Sequence, residues 1–178
     1  DIKVESSFET RRKYRELLFK TKDLNKFISG VILFDETLRQ STSEGVPFAK
    51  YLDEQNIYPG IKVDTGAVPI NPHSDEKVTE GLDGLGKRLE EYKDFGAVFT
   101  KWRAIIDIKE QHQIPSDYLI EINCHNWARY ARVVQDHGMV PIVEPEVLMD
   151  GSHDIKSCFE VTSKAQKTLF EHLKKNDV

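Results

Sequence analysis

The sequence predicts an α/β fold built on a parallel sheet. Short apolar runs alternate with amphipathic helical segments along the 178 residues. The runs show no polar alternation, which is typical of strands covered on both faces by crossover helices. Strands separated by helices indicate parallel pairing with right-handed connections. Pairs of charged residues follow three of the runs, at the sheet edge where parallel folds gather their ligands.

The first helix is predicted over residues 6–19, because Ser6 and Glu9 have the spacing of a capping box. A basic run at residues 11–13 is expected to form the solvated face of this helix. The apolar positions expected on its other face are Tyr14, Leu17 and Leu18.

Four apolar runs are the predicted strands, and each begins at or just after a glycine. They are Val31–Phe34, Gly60–Val63, Gly96–Thr100 and Met139–Val143. Asp35 and Glu36, directly after the first run, are expected to start a helix. The polar, proline-containing segment 69–80 is expected to be a surface loop.

Three more helices are predicted further along the chain. The first of them places Leu82, Leu85, Leu89 and Tyr92 at helical spacing. The next begins after Ser116, which suits an N-cap, and ends before Gly138. Its buried stripe is predicted to be Ile120, Cys124, Trp127, Ala131 and Val134. The last helix is predicted over residues 154–174, with an apolar face at Val161, Ala165 and Leu169.

The composition is that of an ordinary globular domain, with 39% hydrophobic and 31% charged residues, and we expect one domain over residues 1–178. The net charge of −5 argues against nucleic acid as a partner. No apolar run reaches the ~20 residues that span a bilayer, so no membrane association is expected. Residues 1–5 lack a signal-peptide pattern and an initiator Met, so we expect a portion of a longer or processed chain.

Metal and redox chemistry have little support in the sequence. Cys124 and Cys158 are expected to be reduced structural thiols of a cytoplasmic protein, although a disulfide between them stays open. The six histidines, at positions 73, 112, 125, 137, 153 and 172, show no HxxxH or HxH spacing typical of zinc. The glycine-rich phosphate and dinucleotide motifs and the nucleophile elbow are not found in the sequence.

Charged residues two positions apart occur at three predicted strand ends, and such residues point to the same side of a strand. The pairs are Lys62 and Asp64, Lys101 and Arg103, and Glu144 and Glu146. If the strand registers agree, Lys101 would lie between the two glutamates, an arrangement that suits proton transfer. Lys62 and Arg103 have only Asp64 as an obvious acidic partner, so we expect them to bind phosphate. Together these groups suit sugar-phosphate chemistry.

Seven motifs in these segments resemble class I fructose-bisphosphate aldolase. They occur in that family's order, cover nearly the whole chain, and are Gly30–Thr37, Gly60–Asp64, Gly81–Leu85, Phe99–Arg103, Trp127–Tyr130, Val140–Glu146 and Asp150–Asp154. The family is a TIM (β/α)8 barrel that splits fructose 1,6-bisphosphate reversibly into dihydroxyacetone phosphate and glyceraldehyde 3-phosphate. It uses a lysine Schiff base and no metal. The resemblance therefore implies a partial barrel of about four parallel strands with their helices, equivalent to strands two to five.

The resemblance also implies a role for each charged residue. Glu144 matches the carboxylate that shuttles protons during Schiff-base formation and dehydration, and Glu146 matches the second acid of that motif. Lys101 matches the lysine that sits against these carboxylates and the bond being cleaved. Lys62 and Arg103 match residues lining the substrate and its phosphate. The family further implies a cytoplasmic, glycolytic homotetramer that acts on phosphorylated sugars without a cofactor.

Several parts of the family pattern have no match in residues 1–178, namely the first strand with its catalytic aspartate, the strand that carries the Schiff-base lysine, and the seventh and eighth strands. The Schiff-base lysine stands in a Leu-Leu-Lys-Pro context, which none of Lys164, Lys167, Lys174 and Lys175 has. We therefore expect no turnover from this polypeptide by itself, because the imine that accepts electrons would not form. Two alternatives stay open, namely a non-catalytic phosphosugar-binding or assembly module and a complete, open, doubly wound sheet.

Overall fold

The computed structural model describes residues 3–109 and 113–178. The helices are α1 (Phe8–Phe19), α2 (Asp35–Leu38), α3 (Phe48–Glu54), α4 (Leu85–Asp94), α5 (Asp117–Asp136) and α6 (Ile155–Lys175). The strands are β1 (Gly30–Leu33), β2 (Tyr58–Lys62), β3 (Gly66–Pro69), β4 (Lys77–Glu80), β5 (Phe99–Ile106) and β6 (Val140–Val147). A short 3₁₀ helix at Leu24–Lys26 lies between α1 and β1.

The four predicted strands form a parallel sheet in the order β1-β2-β5-β6. In the first pair, Gly30 lies opposite Tyr58 and Leu33 lies opposite Ile61. β3 and β4 form a separate antiparallel pair. The predicted alternation of strands and helices is therefore confirmed, with strand bounds that differ from the predicted ones.

The segment 69–80, predicted as a surface loop, contains strand structure, so that prediction is wrong. Pro69 is the last residue of β3, and the final four residues of the segment form β4. Both strands carry exposed residues. They therefore lack the continuous apolar run by which a strand in a parallel sheet is recognised.

The chain forms two compact units. The first consists of Asp1–Lys62 and Arg88–Thr100. Its buried residues include Leu33, Phe48, Leu52, Ile61 and Leu89, and within it α3 packs on β2. The second unit consists of Val63–Lys87 and Lys101–Val178. Its buried residues include Trp102, Ile106, Leu119, Trp127 and Tyr130, and within it α5 packs on β4, β6 and α6.

α5 follows its sequence prediction closely. The Ser116 hydroxyl accepts a hydrogen bond from the Leu119 amide at 3.1 Å, as an N-cap does. The residues of the predicted stripe are all buried, namely Ile120, Cys124, Trp127, Ala131 and Val134. Gly138 follows the helix with φ of 72°, a left-handed conformation that favours glycine.

The two cysteines are both free thiols. Cys124 is buried and Cys158 is half-buried. Burial raises the pKa of the Cys124 thiol to about 12, because the interior disfavours the thiolate. The packing role predicted for Cys124 is confirmed.

α6 begins after Asp154, whose carboxylate accepts a hydrogen bond from the Ser157 amide at 2.8 Å. On its predicted apolar face Ala165 and Leu169 are buried and Val161 is half-buried. α5 and α6 have 20 and 21 residues. Neither of them, nor any other helix in the described part of the chain, is both long and apolar enough to cross a membrane.

α1 begins one residue later than its capping box predicts. Its N-cap is Ser7, whose hydroxyl accepts from the Thr10 amide at 3.2 Å. The Thr10 hydroxyl in turn accepts from the Ser7 amide at 2.8 Å. The predicted capping box of Ser6 and Glu9 is therefore wrong. The box is formed by Ser7 and Thr10, and the Thr10 hydroxyl accepts the hydrogen bond that a glutamate carboxylate usually accepts.

The apolar face predicted for α1 is wrong, whereas Lys13 of the predicted basic run is exposed as expected. Tyr14, Leu17 and Leu18 are exposed, by 64%, 69% and 46%. The basic side chains instead bind carboxylates of the first unit. Arg11 lies 2.7 Å from Glu36, Arg12 lies 2.7 Å from Glu16, and Arg15 also reaches Glu36. Because Glu36 binds both Arg11 and Arg15, these two arginines lie between α1 and α2 and are only half-buried.

The sequence predicts that both faces of each strand are buried, and the structure confirms this for β2 but not for β1. Pro59, Gly60 and Ile61 are buried in β2. In contrast, Ile32 of β1 is 43% exposed, and Phe34 just after it is 58% exposed. β1 is an end strand of the sheet, as is β6, where Val140 and Ile142 are also exposed. The helix start predicted directly after the first strand is confirmed, since α2 begins at Asp35.

Gly60 lies under the ring of Phe99, so close that an added Cβ would overlap the ring. At Gly30 an added Cβ would lie 3.1 Å from the same ring, which is tight without overlap. We expect Gly60→Ala to lower the free energy of unfolding by about 1–3 kcal/mol, the usual cost of overpacking. Urea unfolding measures this loss, and Gly30→Ala, expected to lose less, is the matched control. Equal losses in the two variants would contradict the role of the Phe99 ring.

Candidate active site

Lys101 and Arg103 lie inside β5, on its half-buried face. Trp102 and Ala104 are buried on the opposite face. The prediction that this pair follows the end of a strand is therefore wrong. The strand continues to Ile106 because buried and half-buried residues alternate through the charged pair, as in a strand with two different faces.

Glu144 and Glu146 likewise lie inside a strand, because β6 extends to Val147. The predicted position beyond the strand end is wrong for this pair too. The two glutamates are two residues apart, so their side chains leave the same face of β6. Both are half-buried.

Two ion pairs join the neighbouring strands β5 and β6. Lys101 Nζ lies 2.8 Å from Glu144 Oε2. Arg103 Nε donates a hydrogen bond to Glu146 Oε2. The sequence predicted one lysine between two glutamates and an arginine with no acidic partner beyond Asp64. The structure instead gives each cation its own direct carboxylate partner.

The two ion pairs differ in their electrostatics. The hydrogen bond from Arg103 holds the pKa of Glu146 below its usual range, and the same bond raises the pKa of Arg103. Glu146 is therefore fixed as a carboxylate. The Glu144 side chain is 40% exposed, whereas its partner Lys101 is only 16% exposed. Glu144 is thus a carboxylate that both contacts a cation and remains accessible from solvent.

Lys62 is the last residue of β2 and belongs to the first unit, so its predicted strand-end position is confirmed. Its Nζ lies 5.9 Å from the centroid of the Phe34 ring. This distance is within the range of a cation–π contact.

Asp64 follows in the second unit and is only 8% exposed. Its Oδ2 accepts a hydrogen bond from the Arg103 amide at 3.2 Å. The residues that the structure brings together in the second unit are therefore Asp64, Lys101, Arg103, Glu144 and Glu146. The sequence suggests Asp64 only as an acidic partner for the side chains of Lys62 and Arg103, and it does not indicate the bond to the Arg103 backbone amide.

Gly81 is a second residue whose structural role beside Asp64 was not predicted from the sequence. Its φ is 134°, and an added Cβ would lie 3.1 Å from both the Asp64 Cα and the Trp102 Cζ3. A glycine is needed here because the chain after β4 passes directly against the backbone of Asp64. The signal available in the sequence was a glycine immediately after the polar segment 69–80.

Residues 3–109 and 113–178 contain no group of three His, Cys, Asp or Glu side chains placed to hold a metal ion. His112, one of the six histidines considered above, lies outside these residues. The cluster on β5 and β6 consists of cations paired with carboxylates, which suits binding of anions and transfer of protons.

Comparison with known proteins identifies the family. Residues 1–178 match the family described as Fructose-bisphosphate aldolase class-I. The chain is 55% identical over 177 residues to the "Probable fructose-bisphosphate aldolase class 1" of Xanthomonas campestris pv. campestris, covering 99% of this chain and 52% of that protein. It is 48% identical over 178 residues to the fructose-bisphosphate aldolase of Plasmodium falciparum, covering 100% of this chain and 48% of that protein.

A solved structure of the P. falciparum aldolase, a ternary co-crystal with TRAP and a small molecule inhibitor, has the same fold. Its TM-score with this chain is 0.96 at 48% identity, covering 99% of this chain and 51% of that one. The match identifies the four parallel strands as part of a (β/α)8 barrel and not as an open doubly wound sheet. The chain spans about half the length of the relatives it matches. The chain belongs to the class I fructose-bisphosphate aldolase family.

Proposed function

We propose that this chain forms part of a class I aldolase that cleaves fructose 1,6-bisphosphate to dihydroxyacetone phosphate and glyceraldehyde 3-phosphate in glycolysis and gluconeogenesis. The observation that carries the proposal is the 2.8 Å contact between Lys101 and Glu144, beside the pair of Arg103 and Glu146. The family match over residues 1–178 supports the assignment of substrate and reaction.

Glu144 is the proposed proton carrier. A carboxyl group held at the reacting atoms can pass a proton to and from a bound substrate, which is the role of a general acid and base. Its exposed fraction of 40% leaves it accessible to a bound sugar. In this proposal Lys101 holds Glu144 in place and faces the bond being cleaved.

Arg103 and Lys62 are the proposed ligands of the substrate phosphate groups. A guanidinium offers several donors in one plane, which matches the oxygens of a phosphate. Glu146 accepts a hydrogen bond from Arg103 Nε, and in this proposal the terminal nitrogens of the guanidinium bind the phosphate. The second acid of the motif would thus orient a cation and need not itself transfer a proton.

The remaining family properties are carried over as proposals. We infer a cytoplasmic homotetramer that needs no metal and no cofactor beyond its own lysine. The net charge of −5 argues against a nucleic-acid partner, and a local basic site still allows a small anionic substrate to bind.

A non-catalytic phosphosugar-binding or assembly module is the second candidate function. One observation favours it, namely that no lysine of residues 1–178 stands in the Leu-Leu-Lys-Pro context of the Schiff base. Such a module would bind sugar phosphates through the same cations without cleaving them. Cleavage and binding assays on the same variants separate the two functions.

Arg103→Ala tests the binding half of the proposal. In the active enzyme that contains this chain, we expect KM for fructose 1,6-bisphosphate to rise roughly 10-fold or more, because a charge-assisted hydrogen bond is lost. Steady-state kinetics give KM and kcat separately. Arg132→Ala is the matched control, since Arg132 also forms an ion pair in the second unit, 2.8 Å from Asp136 on α5. Unchanged KM in Arg103→Ala would remove this arginine from the substrate site.

A further inference from the structure

We propose that Asp64 is a positioning residue of this site, whose carboxylate fixes the backbone of β5 at Arg103 and so aims the guanidinium at the phosphorylated substrate. The inference rests on the proposed function in one respect, namely that Arg103 binds substrate. The contact between Asp64 and the Arg103 amide is independent of that assignment.

The backbone around Asp64 explains why a side chain is used here. The Val63 amide donates to the Lys101 carbonyl at 3.1 Å, which is an ordinary ladder bond between extended segments. The Arg103 amide, two residues further along, donates to the Asp64 carboxylate at 3.2 Å. The backbone of β5 is therefore held to this segment by a backbone hydrogen bond at Lys101 and by a side-chain acceptor at Arg103.

The same segment of β5 is held from its other side by Trp102. This side chain is fully buried, and the Trp102 carbonyl accepts a hydrogen bond from Trp127 Nε1 at 3.2 Å. Trp102 thus anchors one face of the strand to α5, and Asp64 anchors the amide of the next residue. With both anchors in place, the side chains of Lys101 and Arg103 leave the strand in fixed directions.

The surroundings of Asp64 show that its position is itself tightly set. The amide of Thr65 donates to the Glu80 carbonyl at 2.9 Å. Gly81 passes so close that any Cβ there would lie 3.1 Å from the Asp64 Cα. Asp64 as a whole residue is 8% exposed, and a charged group on so buried a residue is tolerated only where hydrogen bonds satisfy it.

A negative charge at Asp64 also suits the neighbouring cation. The hydrogen bond that Arg103 donates to Glu146 is the main reason that the pKa of Arg103 is raised, and the charges of Glu144 and Asp64 act in the same direction. The Arg103 side chain therefore binds the carboxylate of Glu146, and the Arg103 backbone amide binds the carboxylate of Asp64. The positioning proposal depends on the second contact, and it predicts that geometry at Asp64 matters more than charge.

Three substitutions at Asp64, made in the active enzyme that contains this chain, separate geometry from charge. Asp64→Ala removes the acceptor, and we expect KM for fructose 1,6-bisphosphate to rise about 10-fold with kcat within about threefold. Asp64→Asn keeps an oxygen for the Arg103 amide, and we expect KM within about threefold of the parent. Asp64→Glu keeps the charge but displaces it by one methylene, and we expect KM to rise as in the alanine variant.

The hydrogen-exchange rate of the Arg103 amide reports directly on its hydrogen bond to Asp64, and this measurement does not depend on catalysis. Protection of this amide is expected to be lost in Asp64→Ala and retained in Asp64→Asn. Asp154→Ala is the matched control, because Asp154 also accepts from a backbone amide, that of Ser157 at 2.8 Å. The control is expected to lower stability while KM and the protection of the Arg103 amide stay unchanged.

The possible outcomes are distinct. If Asp64→Asn raises KM as much as Asp64→Glu, or if Asp64→Glu leaves KM unchanged, the positioning role is overturned, and this holds even where the alanine variant does not fold. Retained protection of the Arg103 amide in Asp64→Ala or Asp64→Glu would overturn it as well. Unchanged KM in Arg103→Ala would instead contradict the proposed function, while the exchange data would still decide the contact.

Discussion

Glu144→Gln, in the active enzyme that contains this chain, is expected to lower the rate of fructose 1,6-bisphosphate cleavage by roughly 10²-fold or more. Glutamine has nearly the same shape and its amide oxygen still accepts a hydrogen bond from Lys101, which lies 2.8 Å away in the parent. It cannot take up or release a proton at neutral pH. The substitution therefore removes proton transfer while it leaves the packing of β5 against β6 in place.

The kinetic pattern distinguishes proton transfer from substrate binding. A group that acts in the chemical step affects kcat, so we expect kcat to fall while KM changes by no more than about threefold. Glu91→Gln is the matched control, because Glu91 also pairs with a cation, Arg39 at 2.6 Å, but lies in the first unit. Turnover of Glu144→Gln equal to that of the control would remove Glu144 from the mechanism.

The polypeptide of residues 1–178 by itself is expected to have no measurable aldolase turnover. Class I cleavage needs an amine that forms an imine with the substrate, and no lysine of residues 1–178 has the sequence context of that amine. One lysine of α6, Lys164, forms an ion pair with Asp117. A coupled assay for glyceraldehyde 3-phosphate measures cleavage by the purified polypeptide.

The assay of the polypeptide requires evidence that it is folded. Trp102 and Trp127 are both fully buried, so blue-shifted tryptophan fluorescence that moves to the red in urea reports the native core of the second unit. A folded sample without cleavage agrees with the prediction. Robust cleavage by the folded sample would show that one of its own lysines forms the Schiff base.

The helices with a clear periodic pattern were predictable from the sequence. In α5 an apolar stripe, a serine N-cap and a glycine after the last turn all indicate the same element, and the structure has all three. α1 lacks that agreement, since its N-cap is Ser7 instead of Ser6 and its predicted apolar face is exposed. Arg11 and Arg15 pair with Glu36 of α2, a partner that depends on tertiary structure.

The candidate site was predictable as a set of residues but not as a geometry. The spacing of Lys101 with Arg103 and of Glu144 with Glu146 correctly indicates shared faces. Which cation meets which carboxylate depends on the register of β5 against β6, and a single sequence does not specify that register. The bond from the Arg103 amide to Asp64 is a contact between a side chain and a distant backbone, for which no periodic pattern exists.

The central claim is that this chain supplies the proton-transfer and phosphate-binding groups of a class I aldolase site, while the Schiff-base lysine lies elsewhere in the enzyme. Borohydride reduction in the presence of dihydroxyacetone phosphate, followed by peptide mapping of the active enzyme that contains this chain, tests the claim directly. We expect one labelled lysine, and we expect it outside residues 1–178. A label on any lysine within residues 1–178, or no label in an enzyme that cleaves fructose 1,6-bisphosphate, would contradict the claim.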